Sequence, residues 1–465
     1  MKISVYLLLL LQLAALSTSS KSLYGLEFDA STKPNIVYFL VDDLGYADCG
    51  FNGGTDIKTP NIDKLANAGA ILKSFYVQPV CSPTRAALMT GRYATHTGVY
   101  SVVRPGAPWG LPLAERILPQ ALKEVGYKTA ICGKWHLGEF EPVYKPTQRG
   151  FDHQYGHMFG ALDYFTHIRD GKPDWYRDDI PIVEEGYTTN LVAKEACRLI
   201  KEKPADKPLF LYVPFNGIHG PHQVPVSYTE RYKDLPKLRQ TIAGMLSAVD
   251  EAIGQITAAL VESGLRENTL IIFSSDNGGP APGKATMNTP LRAGKGTIYE
   301  GGVRVCAFAN WPGRIKPGIT VNEPMHAVDW YPTLVKLVGA KANQELQPDG
   351  IDIWPMLTQS GKSPRDAILL VGNRPGVSAI RMGDWKLLLS PSEKGAEEQS
   401  AEERSANDKA SGKMELYNLA QDIAESNNLA QSQPEKVKTM RARLDAMLQN
   451  AVAPGDATRD NGHSR

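Results

Sequence analysis

The chain has 465 residues, with 51 Lys and Arg against 50 Asp and Glu, and 42% of its residues are hydrophobic. So even a balance excludes a nucleic-acid binder working through net positive charge, and the length supplies core enough for one large domain and a smaller one. Five cysteines (Cys49, Cys81, Cys132, Cys197 and Cys306) are an odd number, so at least one stays outside any intrachain disulfide. Cys81 is the candidate, and the other four stay open between disulfides and buried free thiols.

At the N-terminus Lys2 precedes the apolar run Val5-Tyr-Leu-Leu-Leu-Leu-Leu11, then Ala14, Ala15 and a Ser/Thr-rich stretch. This layout predicts a secretory signal peptide over about residues 1–20. The run is too short to span a bilayer comfortably, so no stable membrane anchor is expected, and the mature chain is placed in the periplasm or outside the cell.

The run Asn35-Ile-Val-Tyr-Phe-Leu-Val41 predicts a strand, and Asp42 and Asp43 follow it. In "VCSPTRAALMTG", Ser82 reads as a helix cap, Pro83 as the first helical position, Arg85 to Met89 as the body and Gly91 as the close. A cysteine at such a positive helix end is a low-pKa nucleophile or a metal ligand; a small buried side chain is the plainer alternative. Lys128 to Cys132 predicts a second strand, followed by Gly133-Lys134-Trp135-His136. Pro208 to Val213 predicts a third, followed by His219, and Leu270 to Ser275 a fourth, followed by Asp276 and Asn277. Between the last two, Ile242, Leu246, Val249, Ile253, Ile256 and Leu260 keep helical spacing up to Gly264.

Strands alternating with helices predict an α/β catalytic domain over 30–340, its largely parallel sheet flanked by helices, and in such folds ligands gather beyond the carboxyl ends of strands. After Gly339 the units shorten: Val377 to Met382, Trp385 to Leu389, Met414 to Leu419, and an amphipathic helix around Val437 to Leu448. These predict a C-terminal α+β subdomain over 341–450 built on a small antiparallel sheet. Residues 391–413, rich in Glu, Ser, Ala and Lys, read as a mobile loop and 454–465 as a disordered tail.

Four strand ends thus aim their polar residues at one edge. Asp42, Asp43, Asp276 and Asn277 offer oxygen donors alone, a set that selects Ca²⁺ or Mg²⁺ over zinc. Arg85, Lys134 and Lys295 add cations, and His136 and His219 can exchange protons near neutral pH. A divalent metal beside several cations describes a site for an oxyanion such as sulfate or phosphate.

Cys81-Ser-Pro-Thr-Arg85, followed by Leu88-Met89-Thr90-Gly91, resembles the Cys-x-Pro-x-Arg signature of type I sulfatases. Gly133-Lys-Trp-His-Leu-Gly138 resembles that family's second signature, and the Asp-Asp and Asp-Asn-Gly-Gly elements resemble its metal sites. Within the family, "FGALDYFTH", "SAVDEAIGQITAALVESG" and "PLRAGKGTIYEGGVR" look like arylsulfatase B, an N-acetylgalactosamine-4-sulfatase.

The resemblance implies an alkaline-phosphatase-like fold, one Ca²⁺ rather than Mg²⁺, and a formylglycine made from Cys81 by a formylglycine-generating or sulfatase-maturating enzyme. It implies that a hydroxyl of the hydrated aldehyde, bound to the metal, attacks sulfur to give a covalent sulfo-enzyme. Asp42, Asp43, Cys81, Asp276 and Asn277 would hold the metal; Arg85 would hold the formylglycine, and Lys134 and Lys295 the sulfate oxygens. His136 would take a proton as sulfate leaves, and His219 would protonate the departing sugar oxygen.

Substrate contacts are expected from His157, Asp163, Tyr164 and His167, from His222, and from Arg292. The expected substrate is a sulfated carbohydrate carrying galactose or N-acetylgalactosamine sulfate, in a polysaccharide or glycosaminoglycan. Two other readings stand beside it: a phosphoester or phosphonate hydrolase of the alkaline-phosphatase superfamily, and a carbohydrate-binding pseudo-sulfatase. The last requires a missing catalytic residue, and none is missing.

Overall fold

The computed structural model describes residues 33–341, 344–359, 361–390 and 413–455. The expected signal peptide, the loop 391–413 except Lys413, and the tail beyond residue 455 lie outside the described residues. Apolar runs without polar alternation become strands buried on both faces. β1 (Asn35–Val41), β2 (Ala70–Leu72), β3 (Lys128–Lys134), β4 (His153–His157), β5 (Tyr176–Arg177), β6 (Ile180–Pro181), β7 (Leu209–Pro214), β8 (Thr269–Ser275), β9 (Ala307–Asn310) and β10 (Ile319–Val321) form one sheet. Its order is β10-β2-β9-β8-β1-β7-β3-β4-β5-β6.

The centre is parallel: β1 lies between β8 and β7, with Val37 opposite both Ile271 and Leu211, and β3 and β4 extend it. β9 runs antiparallel to β8 and to β2, and β5 antiparallel to β4, so the sheet is mixed but mostly parallel. Every residue of β1, β7 and β8 is buried, which explains their continuous apolar runs.

Helices cover both faces. α1 (Cys81–Thr90), α2 (Thr188–Lys201), α3 (Lys237–Glu262) and α4 (Trp330–Leu337) alternate with the strands in sequence. Val37, Phe39 and Val41 of β1 pack with Leu191 of α2 and Ile242, Leu246 and Ile253 of α3. Ile36, Tyr38 and Leu40 point the other way, into a core with Leu88 of α1 and Trp330 and Leu334 of α4.

α1 departs from its predicted start. Val80, not Ser82, is the N-cap, and no side chain caps the helix. Pro83 is tolerated because first-turn N–H groups lack intrahelical acceptors. The Ser82 hydroxyl is used elsewhere, donating to His136 O at 2.8 Å and accepting from Val103 N at 3.1 Å. Gly91 closes the helix in the left-handed conformation (φ 72°).

Beyond residue 340, β11 (Ile368–Val371), β12 (Ser378–Met382), β13 (Trp385–Ser390) and β14 (Lys413–Asn418) form an antiparallel sheet in chain order. Met440 and Leu444 of α5 (Pro434–Leu448) pack on it in a core that also takes in Ala87 of α1 and Tyr93. The small sheet is thus joined to the helix that begins with Cys81. Among the described residues no helix is long and apolar enough to cross a membrane.

Candidate active site

The parallel centre of the sheet brings the polar strand ends together. Asp42 and Asp43 follow β1, Lys134 is the last residue of β3, and Asp276 and Asn277 follow β8. α1 places Cys81 and Arg85 one turn apart over this edge. Cys81 Sγ lies 3.6 Å from Asp42 Oδ1. The Arg85 guanidinium donates to Asp276 Oδ2 at 2.8 Å and to Lys134 O at 3.0 Å, and lies 3.4 Å from Asp42 Oδ2. Lys134 Nζ pairs with Asp42 Oδ2, and Lys295 Nζ sits 2.6 Å from Asp43 Oδ1.

Burial works against charge on Asp42, but Lys134, His219 and Arg85 together outweigh it and hold this carboxyl below its ordinary range. Burial is likewise outweighed at Asp43, by His219 and Lys295. Burial, reinforced by the charge of Asp42, pushes the Cys81 thiol up. A low-pKa thiolate nucleophile is therefore not what this helix end produces; the neighbouring carboxylates and desolvation defeat the helix dipole. All five cysteines are free thiols.

The two histidines differ in environment. His136 is buried, and its Nε2 lies 3.0 Å from Val103 O, so Nε2–H donates and the lone pair remains on Nδ1, which has no hydrogen-bond partner among the described residues. Burial, then the charges of Lys134 and Arg85, push it well below the usual imidazole range. It is a neutral ring able to accept a proton. His219 is partly exposed; its Nδ1 lies 2.7 Å from Gly220 O and its Nε2 3.8 Å from Asp43 Oδ2.

Two observations test whether these residues suit a metal. Asn277 donates through Nδ2 to Asp43 Oδ1 at 2.8 Å, while its Oδ1 is buried with no hydrogen-bond partner among the described residues. Leaving such an acceptor bare is costly unless something electropositive faces it. One ligand atom from each of Asp42, Asp43, Cys81 and His219 also lies within 4.8 Å of all the others. Three carboxylates and an amide oxygen fit a hard cation. His219 joins this cluster although the sequence pointed to it only as an acid, and Asp276 is engaged by Arg85 and by Asp43 N at 3.2 Å.

The residues expected to touch substrate are more scattered. His157 is buried at the end of β4, stacked on Trp175 at 6.4 Å. His167 stacks on the same indole at 4.7 Å, with Nε2 3.0 Å from Gly186 O. Tyr164 is buried too, its hydroxyl reaching Asn216 O at 2.6 Å and His219 O at 2.7 Å, so it fixes the backbone of His219. Asp163 accepts from the backbone N–H groups of Phe165 and Thr166 and from Gln223 Nε2. Arg292 faces the small sheet, donating to Tyr417 OH at 3.0 Å and Glu425 O at 2.7 Å. His222 alone among these is exposed.

Sequence reasoning reads Ser82 only as a cap and misses that it ties the helix start to His136, and it passes over Gly160. A Cβ at 160 would come within 2.6 Å of His136 Cε1, so only glycine lets this backbone lie against the imidazole. The sole signal is their position inside motifs already singled out.

Residues 34–340 match the Sulfatase family model. The chain is 37% identical over 461 residues to mouse (Mus musculus) arylsulfatase J, covering 91% of this chain and 77% of that protein. It is 33% identical over 387 residues to mouse N-acetylgalactosamine-6-sulfatase, covering 77% and 72%. The solved structure of Ps i-CgsB in complex with k-i-k-neocarrahexaose superposes with a TM-score of 0.82 at 33% identity, over 91% of this chain and 94% of that one. The chain belongs to the sulfatase family. It is a sulfuric ester hydrolase, and the expected fold, a large mixed sheet with a small C-terminal antiparallel sheet, is the one observed.

Proposed function

We propose that this is an exported sulfatase that removes sulfate from galactose or N-acetylgalactosamine units of a polysaccharide or glycosaminoglycan. The observation carrying the reading is the convergence of Asp42, Asp43, Asp276, Asn277, Arg85, Lys134, Lys295, His136 and His219 about Cys81, with Asn277 Oδ1 left bare. The carbohydrate class draws support from the relatives, named for N-acetylgalactosamine 6-sulfate and solved with a neocarrahexaose. Export rests on the pattern of residues 1–20.

When bound, Ca²⁺ held by Asp42, Asp43, Asp276 and Asn277 would activate an oxygen nucleophile on a formylglycine made from Cys81. Cys81 is 2% exposed, so the maturing enzyme has to act before this helix packs. Lys134 pairs with Asp42 and Lys295 with Asp43, and both are placed to hold sulfate oxygens as charge grows on them. His136, with Nε2 turned to Val103 O and the lone pair on Nδ1, is the group placed to take a proton as sulfate leaves. His219, partly open to solvent, delivers one from Nε2 to the leaving sugar oxygen.

Tryptic-peptide mass spectrometry across Cys81, on protein co-produced with a formylglycine-generating enzyme, combined with sulfate release from a panel of sulfated oligosaccharides and phosphate release from 4-nitrophenyl phosphate, tests this. An aldehyde mass with sulfate release is expected. An aldehyde with phosphate release alone would replace the reading by a phosphoester hydrolase, and release of neither would remove these sugars as substrates.

A further inference from the structure

The segment 101–109 lines a cavity of about 370 Å³ whose walls include Ser101, Arg104, Gly106 and Trp109, a size within the range of small-ligand sites, roughly 300–1,000 Å³. Its wall is tied to the candidate centre at one residue. Val103 N donates to Ser82 Oγ at 3.1 Å, next to Cys81, and Val103 O lies 3.0 Å from His136 Nε2. The flanking residues Val102 and Arg104 line the cavity, so its wall is joined to His136 through the Val103 backbone.

The wall is stiff. Pro105 and Pro108 restrict its backbone, and Ala107 N closes a turn onto Arg104 O at 2.9 Å. Gly106 N donates to Glu139 Oε1 at 3.1 Å, and Leu111 N to Leu137 O at 2.8 Å. Gly455 lies so close to the Trp109 indole that a Cβ there would come within 2.8 Å of Cε3, which holds the ring in place. A preset wall loses little entropy on binding.

Its chemistry is specific. Trp109 is half-buried and offers an indole surface suited to the C–H face of a pyranose. Arg104 is exposed, and among the described residues no hydrogen bond or ion pair engages its guanidinium, whose fork matches a sulfate or carboxylate. An uncharged sugar would leave that cation unused.

We propose that this cavity is a subsite for a second, anionic sugar unit of the polymer, next to the unit whose ester is cut; the inference rests on the sulfatase reading above. Arg104 pairs with the sulfate or carboxylate of that neighbouring unit, and Trp109 carries its ring. The enzyme then favours oligosaccharides over single sulfated sugars.

The test compares Arg104→Gln and Trp109→Leu with wild type on 4-nitrophenyl sulfate and on k-i-k-neocarrahexaose and a chondroitin sulfate hexasaccharide. Each variant is expected to lose tenfold or more in kcat/KM on the hexasaccharide that is turned over, while staying within twofold on the aryl sulfate. Equal losses on both substrates, or no loss on the hexasaccharide, would overturn the proposal.

Calorimetric binding of the same hexasaccharides to Cys81→Ala protein separates the two ideas, because it needs no turnover. Arg104→Gln in that background should weaken binding about tenfold and leave binding of the desulfated sugar unchanged. If neither hexasaccharide is hydrolysed but this loss appears, the subsite stands and the reading of these polymers as substrates falls. Unchanged affinity, or binding of neither hexasaccharide, removes the subsite.

Discussion

Arg85→Lys keeps the charge of the buried cation and removes only its shape. The guanidinium donates from one nitrogen to Lys134 O at 3.0 Å and from another to Asp276 Oδ2 at 2.8 Å, with no exposed surface on either side chain of the Asp276 pair. A single ammonium that follows Asp276 leaves the Lys134 carbonyl bare. Losing the bond costs about 1 kcal/mol, the stranded buried acceptor costs about 1–3 kcal/mol, and poorer geometry on the carboxylate adds to both, so about 3 kcal/mol in all. Arg443→Lys is the matched control: its guanidinium pairs with Asp366 at 2.8 and 3.2 Å, but the side chains are 38% and 64% exposed. Water replaces the lost bonds there, and the cost stays below about 1 kcal/mol. Urea unfolding followed by tryptophan fluorescence gives both values. Equal losses in the two variants would refute the view that Arg85 holds the strand ends together through its two-nitrogen reach.

His219→Ala should cost about 10²–10⁴ in kcat on a sugar sulfate and little on 4-nitrophenyl sulfate, whose leaving group needs no proton; equal losses on both would remove its acid role. Prolonged treatment with EGTA should lower both activity and the thermal unfolding midpoint, and Ca²⁺ should restore them, since a cation bound only by the folded chain stabilises it; a midpoint indifferent to chelation would count against the oxygen cluster as a metal site. Asp174 supplies a pH test away from the cluster. Burial pushes its carboxyl up to about 7, against hydrogen bonds from Met158 N and Phe159 N. Between the ordinary carboxylate value and 7 the folded chain holds a proton that the unfolded chain has released. Stability therefore falls as pH rises through that window, by up to about 4 kcal/mol. Asp174→Asn should shrink the difference between unfolding free energies at pH 5 and pH 8; an unchanged difference would show that another group sets it.

The strands of the sheet centre were legible because they are buried on both faces and so carry unbroken apolar runs. Their polar ends were legible for the same reason, as abrupt changes of chemistry at fixed places. β9 and β2 were not: Ala307–Asn310 and Ala70–Leu72 are too short for any periodicity to stand out. The start of α1 was misplaced by two residues because Ser82 has the chemistry of a cap, and only the tertiary position of His136 O and Val103 N draws its hydroxyl away. Tyr164, His157 and His167 looked like sugar contacts because aromatic and imidazole groups line such sites. Their burial against Trp175 or beneath His219 depends on packing between segments far apart in sequence.

Arg292 shows what motif reasoning alone cannot supply. It stands three residues from Lys295, yet it turns to the small sheet, stacking over Tyr299 at 3.9 Å and donating to Tyr417 OH and Glu425 O. Tyr299 OH donates to Glu415 Oε2 at 2.7 Å, and Glu300 N to Glu425 Oε2 at 2.6 Å. The buried Lys386 of β13 lies 2.9 Å from both Glu300 Oε1 and Glu425 Oε1. The segment that delivers Lys295 to Asp43 is therefore held at Arg292 and again from Tyr299 to Glu300 by residues after position 380. The stretch 34–340 contains every group of the candidate centre, but without Lys386 its Glu300 would keep a buried carboxylate stripped of that cation, at a cost of several kcal/mol. Among the described residues the C-terminal sheet thus contributes no atom to the cluster and still fixes the position of one of its cations.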